Sequence, residues 1–402
     1  GFSFSKEMKY FYKPNIHKSE FKKRRENLRI LMDKNNIDIV VAYSDDRATF
    51  GQQYTRYFFN YQPHFEPACV IIPKEGESCI VTGPECEELV LNNSYCKNVK
   101  IADVFTHPDE EYPFHQVLSF SKLLKLLTQF KKNKKITIGL AGSEMLPFKY
   151  WKKIKNLEKS KIVEVNEIIE QLRCIKSQQE IKVIQHAYNI AQKGVQKGIE
   201  VAQAGITERE LAAEIEYEMR KLGSEGMGID TIVGSGKINT RSIITRATSR
   251  KVKNGEHILL TIAPRYEGYH GAIGRVIAIG QINEQIPRFY EVAIKAQNEV
   301  IKHLKPGIKG KKIDKIAREV CKEHHLEKYF AYSGIHSVGY SEFEPPILTS
   351  WNEVIIKRNM VLSIDIPLFF VSWGGLRVED GFQVLKNSNK PLQTIPKEIV
   401  YK

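Results

Sequence analysis

The second half of the chain contains an internal repeat, and this repeat constrains the fold more than any other feature of the sequence. Ala204-Gly205-Ile206-Thr207 separates two predicted helices, and Pro306-Gly307-Ile308-Lys309 does the same about a hundred residues later. Apolar segments typical of strands follow each helix pair. These segments are 229–233 and 258–279 in the first copy, and 361–370 and 376–385 in the second. We therefore predict two α-α-β-β halves related by a pseudo-twofold axis, with one curved sheet and a central cleft.

The first half of the chain has a different pattern. Short apolar runs such as 37–43, 68–72 and 136–140 alternate with amphipathic helical stretches such as 17–35. This alternation is typical of an α/β domain. With 402 residues, the chain is long enough for two hydrophobic cores. We predict an α/β domain over residues 1–165 and an α+β domain over residues 166–402, which begins with a helix capped by Ser177 and Glu180.

Composition excludes several classes of protein. The net charge of +14 is dispersed, and its densest runs, 22–25 and 131–135, lack interleaved aromatic residues for base stacking. We expect no nucleic-acid partner. No apolar stretch approaches the roughly eighteen residues of a membrane helix, and the first residues lack the apolar core of a secretory signal. We therefore expect no membrane partner and a cytoplasmic location, with the six scattered cysteines reduced.

Three polar residues lie inside predicted strands of the second half. They are His336, Asp365 and Glu379. Strand centres usually hold apolar side chains, so ionisable groups there are paired or functional. One histidine and two carboxylates converging on a cleft can act as acid and base or as ligands of a metal.

From Ile175 to Gln383 the chain resembles the family of creatinase, aminopeptidase P and prolidase, which have the pita-bread fold. The resemblance rests on motifs that occur in the family's order: 253–256, Gly268-Tyr269, 305–307, His336 followed by Glu344-Pro345-Pro346, and 375–380. It implies a creatinase-type α/β N-terminal domain followed by a pita-bread α+β domain. It also implies a homodimer in which the small domain of one subunit completes the partner's active site.

The same resemblance implies that most of the family's dinuclear metal site is missing. The family's two aspartate ligands correspond to Thr261 and Ala272. The histidine ligand is retained as His336, one glutamate is shortened to Asp365, and the other is retained as Glu379. The family's two substrate histidines correspond to Ile244 and Phe343. An alanine cannot bridge two cations, so a two-metal peptidase is not expected, and the chain is placed nearer to the creatinase-like members that are not peptidases.

Three functions remain open at this level. The first is a metal-independent, creatinase-like hydrolase of a C–N bond in a small amino-acid-like substrate, with His336, Asp365 and Glu379 as catalytic residues and no cofactor. The second is a hydrolase resembling Xaa-Pro dipeptidases or aminopeptidases, with one Mn, Zn or Fe ion on the same three residues. The third is a catalytically inactive binding module.

Further residues are candidates for substrate binding. Arg275 and Arg377 are candidates for binding a carboxylate in bidentate geometry. His270 follows Tyr269 in a hairpin and is an alternative proton carrier, whereas His64 and Glu66 lie in a loop that the resemblance places across the dimer. The complete predicted set for substrate binding is His64, Glu66, Tyr269, His270, Arg275, Glu344 and Arg377.

Overall fold

The computed structural model describes residues 13–131, 135–157 and 160–402, and the chain divides into two compact units. The first unit is His17–Arg173, and the second comprises residues 13–16 and Cys174–Lys402. The division falls after the predicted boundary at residue 165, because the helix Asn166–Cys174 belongs almost entirely to the first unit. Residues 1–12 of the predicted first domain and residues 132–134 of the predicted basic run lie outside the described residues.

The first unit is an α/β domain around a seven-stranded mixed sheet. The strand order is β5-β4-β3-β2-β1-β6-β7. Both β1 and β2 are buried along their whole length, so side chains from both faces of the sheet contribute to the core. The strands are β1 (Ile39–Ser44), β2 (Ala68–Pro73), β3 (Cys79–Thr82), β4 (Val99–Ala102), β5 (Val117–Leu118), β6 (Ile136–Ala141) and β7 (Ser160–Glu164). The helices are α1 (Lys18–Lys34), α2 (Gln53–Phe59), α3 (Glu87–Asn93), α4 (Phe120–Leu127), α5 (Phe148–Lys155) and α6 (Asn166–Cys174).

The second unit is built around a nine-stranded sheet. Its main order is β15-β14-β16-β17-β13-β10-β9, with β18 beside β17 and β19 beside β13, and a small sheet has the order β12-β11-β8. The helices are α7 (Gln178–Val201), α8 (Glu208–Lys221), α9 (Gly236–Asn239), α10 (Gln285–His303) and α11 (Gly310–Glu323). The strands are β8 (Gly226–Met227), β9 (Ile232–Ser235), β10 (Glu256–Ile262), β11 (Pro264–Tyr266), β12 (Tyr269–His270), β13 (Ile273–Ile279), β14 (Ile335–Ser337), β15 (Glu344–Ile347), β16 (Val361–Val371), β17 (Gly374–Val384), β18 (Asn389–Pro391) and β19 (Val400–Tyr401).

The predicted repeat is confirmed by matching backbone hydrogen bonds in the two halves. Gly205 N donates to Val252 O at 2.8 Å, and Gly307 N donates to Ile356 O at 2.9 Å. Both glycines have φ of 92°, a left-handed conformation that side chains disfavour. Each turn joins two helices that pack on each other, and the first helix of each pair packs on an antiparallel strand pair, α7 on β10 and β13 or α10 on β16 and β17. The pairs join where β13 lies beside β17, and this is the pita-bread architecture that the sequence predicts.

None of the described helices combines the length and the apolar character that a bilayer-crossing helix requires. The six cysteines are free thiols.

Ser177 begins α7 with the predicted capping box. Its hydroxyl accepts a hydrogen bond from Glu180 N at 3.2 Å, and Glu180 Oε2 accepts one from Ser177 N at 2.7 Å. Ser177→Ala removes the hydroxyl acceptor and is expected to lower the free energy of unfolding by about 1 kcal/mol. Chemical denaturation measures the loss, and Ser177→Thr, which keeps a hydroxyl, serves as the control. Equal losses in the two variants would contradict the role of the hydroxyl.

Candidate functional site

The strand register brings the three predicted catalytic residues to one face of the second unit's sheet. His336 lies opposite Ser363, and Asp365 lies opposite Glu379. Directly opposed residues of antiparallel strands share a face, as do residues two apart on one strand. The three side chains are each about 2% exposed, and His336 Nε2 lies 3.8 Å from Glu379 Oε2.

The imidazole of His336 has a defined orientation. Nδ1 lies 2.9 Å from Ser337 O, and a carbonyl oxygen can only accept, so Nδ1 carries the hydrogen. In the neutral ring, Nε2 therefore presents a lone pair toward the neighbouring carboxylates. Burial lowers the pKa of His336, which favours this neutral form.

A fourth residue, Glu342, joins this centre and was not predicted. Its Oε1 lies 3.9 Å from His336 Nε2, and its side chain is buried. Potential ligand atoms of His336, Glu342 and Glu379 all lie within 4.8 Å of one another. Glu342 precedes β15 in a segment otherwise formed by Tyr340, Ser341 and Phe343, so the signal available in the sequence was one acidic residue in a buried turn.

Asp365 also has other partners, and the compact group of ligand atoms contains Glu342 in addition to His336 and Glu379, whereas the predicted metal set of His336, Asp365 and Glu379 stays a prediction. Its Oδ2 accepts a hydrogen bond from the Tyr332 hydroxyl and lies 3.8 Å from Arg377 Nε. Arg377 also donates to Thr261 Oγ1 at 3.3 Å and to Ile243 O at 2.7 Å. Asp365 Oδ2 therefore interacts with a tyrosine and an arginine, while its Oδ1 is buried without a hydrogen-bond partner among the described residues. Glu342 is the carboxylate that lies with His336 and Glu379 within 4.8 Å.

The centre holds several acidic side chains that are buried from solvent. Glu342, Asp365 and Glu379 are three carboxyl groups, and Arg377 is the guanidinium among them. Burial raises the pKa of Glu342 to about 7. Burial, followed by the charges of Asp365 and Glu342, raises the pKa of Glu379 well above its usual range. Burial also raises the pKa of Asp365, against the opposing effect of Arg377. If all three were ionised, two negative charges would lack compensation by Arg377.

These residues do not fit the family's two-metal site. The resemblance places two aspartate ligands at Thr261 and Ala272, neither of which has a carboxylate, and the hydroxyl of Thr261 already accepts a hydrogen bond from Arg377. The residues present do fit a site for a single cation. Glu379 Oε1 is buried without a hydrogen-bond partner among the described residues, while Ser363 Oγ donates to Oε2 at 2.9 Å. The lone pair of His336 Nε2 and the carboxylates of Glu342 and Glu379 form a donor set that suits one divalent ion.

Arg275 has a structural position that corrects its predicted role as a carboxylate clamp. Gly274 pairs with Glu379, so Arg275 points to the opposite face of the sheet. Its five N–H donors bond to five acceptors at 2.7–3.3 Å, which are the carbonyls of Gly274, Glu379, Ile395 and Pro396 and the carboxylate of Asp380. A guanidinium has five donors, so none remains for a substrate.

Three more residues predicted to bind substrate form hydrogen bonds within the protein instead. They are Tyr269, Glu344 and His270. Tyr269 donates to Glu180 at 2.7 Å, and Glu344 accepts from Lys176 at 2.8 Å. His270 Nδ1 donates to Gly339 O at 2.8 Å, and burial lowers the pKa of His270 to about 4. A histidine that stays neutral at pH 7 in the core is a poor proton carrier, which corrects that prediction.

His64 and Glu66 belong to the first unit. Glu66 is buried and accepts hydrogen bonds from Glu85 N at 3.3 Å and from Cys86 N at 2.9 Å. Its carboxylate therefore holds the turn before α3. His64 is exposed, and its carbonyl accepts from the Cys86 thiol at 2.9 Å. Their predicted contact with a substrate across a dimer stays a prediction.

The raised pKa of Glu342 generates a prediction about stability in metal-free protein. An unfolded glutamate titrates near pH 4.3, and folded Glu342 titrates at about 7. The folded state binds this proton more tightly, so the contribution of Glu342 to stability falls as the pH rises between these values, by at most about 1.4 kcal/mol per pH unit. Glu342→Gln stays neutral and is expected to lose this part of the slope. Denaturation of both proteins from about pH 4 to 8 measures the difference, and parallel curves would contradict it.

Comparison with known proteins gives a consistent assignment. Residues 182–386 match Metallopeptidase family M24, and residues 24–175 match the Creatinase/Prolidase N-terminal domain. The chain is 30% identical to an Xaa-Pro dipeptidase of Pyrococcus horikoshii, over 92% of this chain and 96% of that protein. It is 29% identical to the Xaa-Pro dipeptidase of Pyrococcus furiosus, over 94% of this chain and 100% of that protein.

Solved structures agree with this assignment. The prolidase from Pyrococcus horikoshii superposes with a TM-score of 0.79 at 28% identity, covering 94% of this chain and all of that one. The prolidase from Pyrococcus furiosus gives a TM-score of 0.75 at 27% identity, covering 92% and 99%. The relatives are peptidases, so they do not support the expected placement nearer to creatinase-like members or the exclusion of peptide bonds. This chain belongs to metallopeptidase family M24, with a creatinase/prolidase N-terminal domain.

Proposed function

We propose that this protein is a hydrolase that cleaves a C–N bond in a dipeptide-like substrate with one divalent cation held by His336, Glu342 and Glu379. The observation that carries the proposal is the convergence of these three buried ligand-type side chains within 4.8 Å. The Xaa-Pro dipeptidases among its relatives support a peptide-like substrate. A divalent cation in such a set polarises a carbonyl and lowers the pKa of a bound water.

The chain's own residues hold and orient this set. Ser337 O fixes the imidazole of His336 through Nδ1, so Nε2 is available for binding. Ser363 Oγ fixes Oε2 of Glu379 and leaves Oε1 available. Such outer hydrogen bonds reduce the rotational freedom of the ligands and set the position of each donor atom.

Arg377 supplies a fixed positive charge on the other side of the centre. It is buried and lies between Asp365 and the Thr261 hydroxyl. In the proposed reaction, this charge stabilises negative charge that develops on the substrate carbonyl oxygen, because a buried guanidinium needs little reorganisation. Its role as a direct carboxylate clamp stays a prediction.

A second candidate function is metal-independent hydrolysis of a C–N bond in a small amino-acid-like substrate. The pKa of Glu342, about 7, favours it, because a carboxyl group that titrates near neutral pH can accept and return a proton beside His336. The two candidates differ in whether Glu342 holds a cation or exchanges a proton.

Metal titration of chelator-treated protein distinguishes these functions. Mn²⁺, Zn²⁺ and Fe²⁺ are titrated one at a time while the melting temperature is followed. A free metal concentration of about one hundred times Kd stabilises the folded state by about 2.7 kcal/mol. We expect saturable stabilisation with one ion per chain, and hydrolysis of Xaa-Pro dipeptides that depends on this ion.

Glu342→Gln keeps the size of the side chain and removes its charge. We expect at least a tenfold loss of metal affinity and of dipeptide hydrolysis, on the order of 1.4 kcal/mol or more. The exposed Glu291→Gln on α10 is the matched control. Turnover of creatine or dipeptides without metal would favour the second candidate, and neither binding nor turnover would favour an inactive binding module.

Three further expectations belong to this proposal: a small-molecule substrate, a cytoplasmic location and a homodimer with a shared active site. Sedimentation of the intact chain tests the homodimer. Mixing His336→Ala with His64→Ala then tests sharing, because a mixed dimer regains one complete site only if His64 acts across the interface.

A further inference from the structure

A second cleft in the same unit shares no residue with the His336 centre. Its volume is about 530 Å³. It lies beside α9, the turn before β10, the start of α10 and the turn before β17. The residues that line it are Gly236, Lys237, Ile238, Arg250, Lys253, Gly255, Glu256, His257, Asn283, Ile286, Ser372 and Trp373.

The lining of this cleft carries uncompensated positive charge. Glu256 is the acidic residue in the lining, and both its oxygens bind the guanidinium of Arg250. Lys237 and Lys253 have no ion-pair partner within 4.0 Å among the described residues and contribute two further positive charges. His257 is neutral at pH 7, because burial lowers its pKa to about 4. The cleft therefore attracts anions.

The Arg250–Glu256 pair packs directly on the backbone of Gly236, where there is no side chain to displace it. The φ of Gly236 is 67°, and a Cβ there would lie 2.8 Å from Glu256 Oε1 and 2.9 Å from Arg250 Nη2. Arg250 also donates to Ser235 Oγ at 2.7 Å, so its position is fixed by several contacts. The fixed pair leaves the two lysines as the cations that can turn toward a ligand.

The cleft also presents a buried donor and an apolar surface. Trp373 is 6% exposed, and its Nε1 has no hydrogen-bond partner among the described residues. A buried indole N–H usually has a partner, so this one is an unused donor in a residue that lines the cleft. Ile238, which is 74% exposed, supplies apolar surface beside it.

We propose that this cleft binds a small organic anion. Its phosphate or carboxylate group interacts with Lys237 and Lys253, its apolar part contacts Ile238, and an anion oxygen accepts from Trp373 Nε1. Phosphate and carboxylate share the charge and the acceptor oxygens that this lining requires.

Calorimetric titration of the intact protein with phenyl phosphate, phenylacetate, inorganic phosphate and benzyl alcohol tests the proposal. We expect at least one of the two aromatic anions to bind more tightly than inorganic phosphate, and benzyl alcohol to bind most weakly. The tighter of phenyl phosphate and phenylacetate identifies the head group. Raising the ionic strength is expected to weaken binding of the anion, because salt screens exposed lysines.

Variants locate the binding in this cleft. Lys237→Ala and Lys253→Ala are each expected to weaken binding of the aromatic anion at least about threefold, the effect of losing a partly exposed charge pair. Trp373→Phe keeps an aromatic ring, removes the N–H donor and is also expected to weaken binding. Lys182→Ala, which removes an exposed lysine of α7, is the matched control and should bind as the unmodified protein does.

The proposal is overturned if none of the three anions binds at about 10 mM. It is also overturned if the control and both cleft lysine variants bind the aromatic anion with equal affinity. Circular dichroism of each variant establishes that it is folded. If one lysine variant does not fold, the other lysine variant and Trp373→Phe still decide the result.

Discussion

The burial of five ionisable side chains, four on β14, β16 and β17 and one in the turn before β15, is the constraint on which the rest of the centre depends. Glu342, Asp365 and Glu379 carry more potential negative charge than Arg377 can compensate. Charges removed from water must be paired, protonated or bound to a metal. Asp365 Oδ2 accepts a hydrogen bond from Tyr332 and lies 3.8 Å from Arg377 Nε, whereas Asp365 Oδ1 is buried without a hydrogen-bond partner among the described residues. The remaining groups, His336 with Glu342 and Glu379, are left to a proton or a cation.

The centre lacks two carboxylates that the resemblance implies, and it contains a further carboxylate, that of Glu342. Thr261 and Ala272 stand where the resemblance places two aspartates, and Thr261 interacts with Arg377. Glu342, in the turn before β15, places a carboxylate 3.9 Å from His336 Nε2. His336, Glu342 and Glu379 together suit one cation. The loss of the bridging aspartates alone therefore does not establish the absence of metal chemistry.

The fold and part of the centre could be predicted from the sequence, because both follow from the internal repeat and from the apolar strand segments. The repeated Gly-Ile turns indicate the two halves, and the apolar segments around Asp365 and Glu379 place these ionisable residues within β16 and β17. Glu342 could not be found in this way, because side-chain direction in a turn has no fixed period. Arg275 and Arg377 could not be distinguished from the sequence either, since both lie in predicted strands. Only the pairing of Gly274 with Glu379, which joins the two halves of the unit, places Arg275 and Arg377 on opposite faces.

Strand β17 connects the cleft beside α9 to the His336 centre through the backbone. Trp373 lies in the cleft directly before β17, and Gly375 O lies 2.9 Å from His257 Nε2. Two residues further on, Arg377 donates to Ile243 O and lies beside Asp365. Gly374 packs so closely on α9 that a Cβ would lie 2.0 Å from Thr240 Oγ1. Trp373, Gly375 and Arg377 thus lie on one short segment that borders both the cleft and the His336 centre.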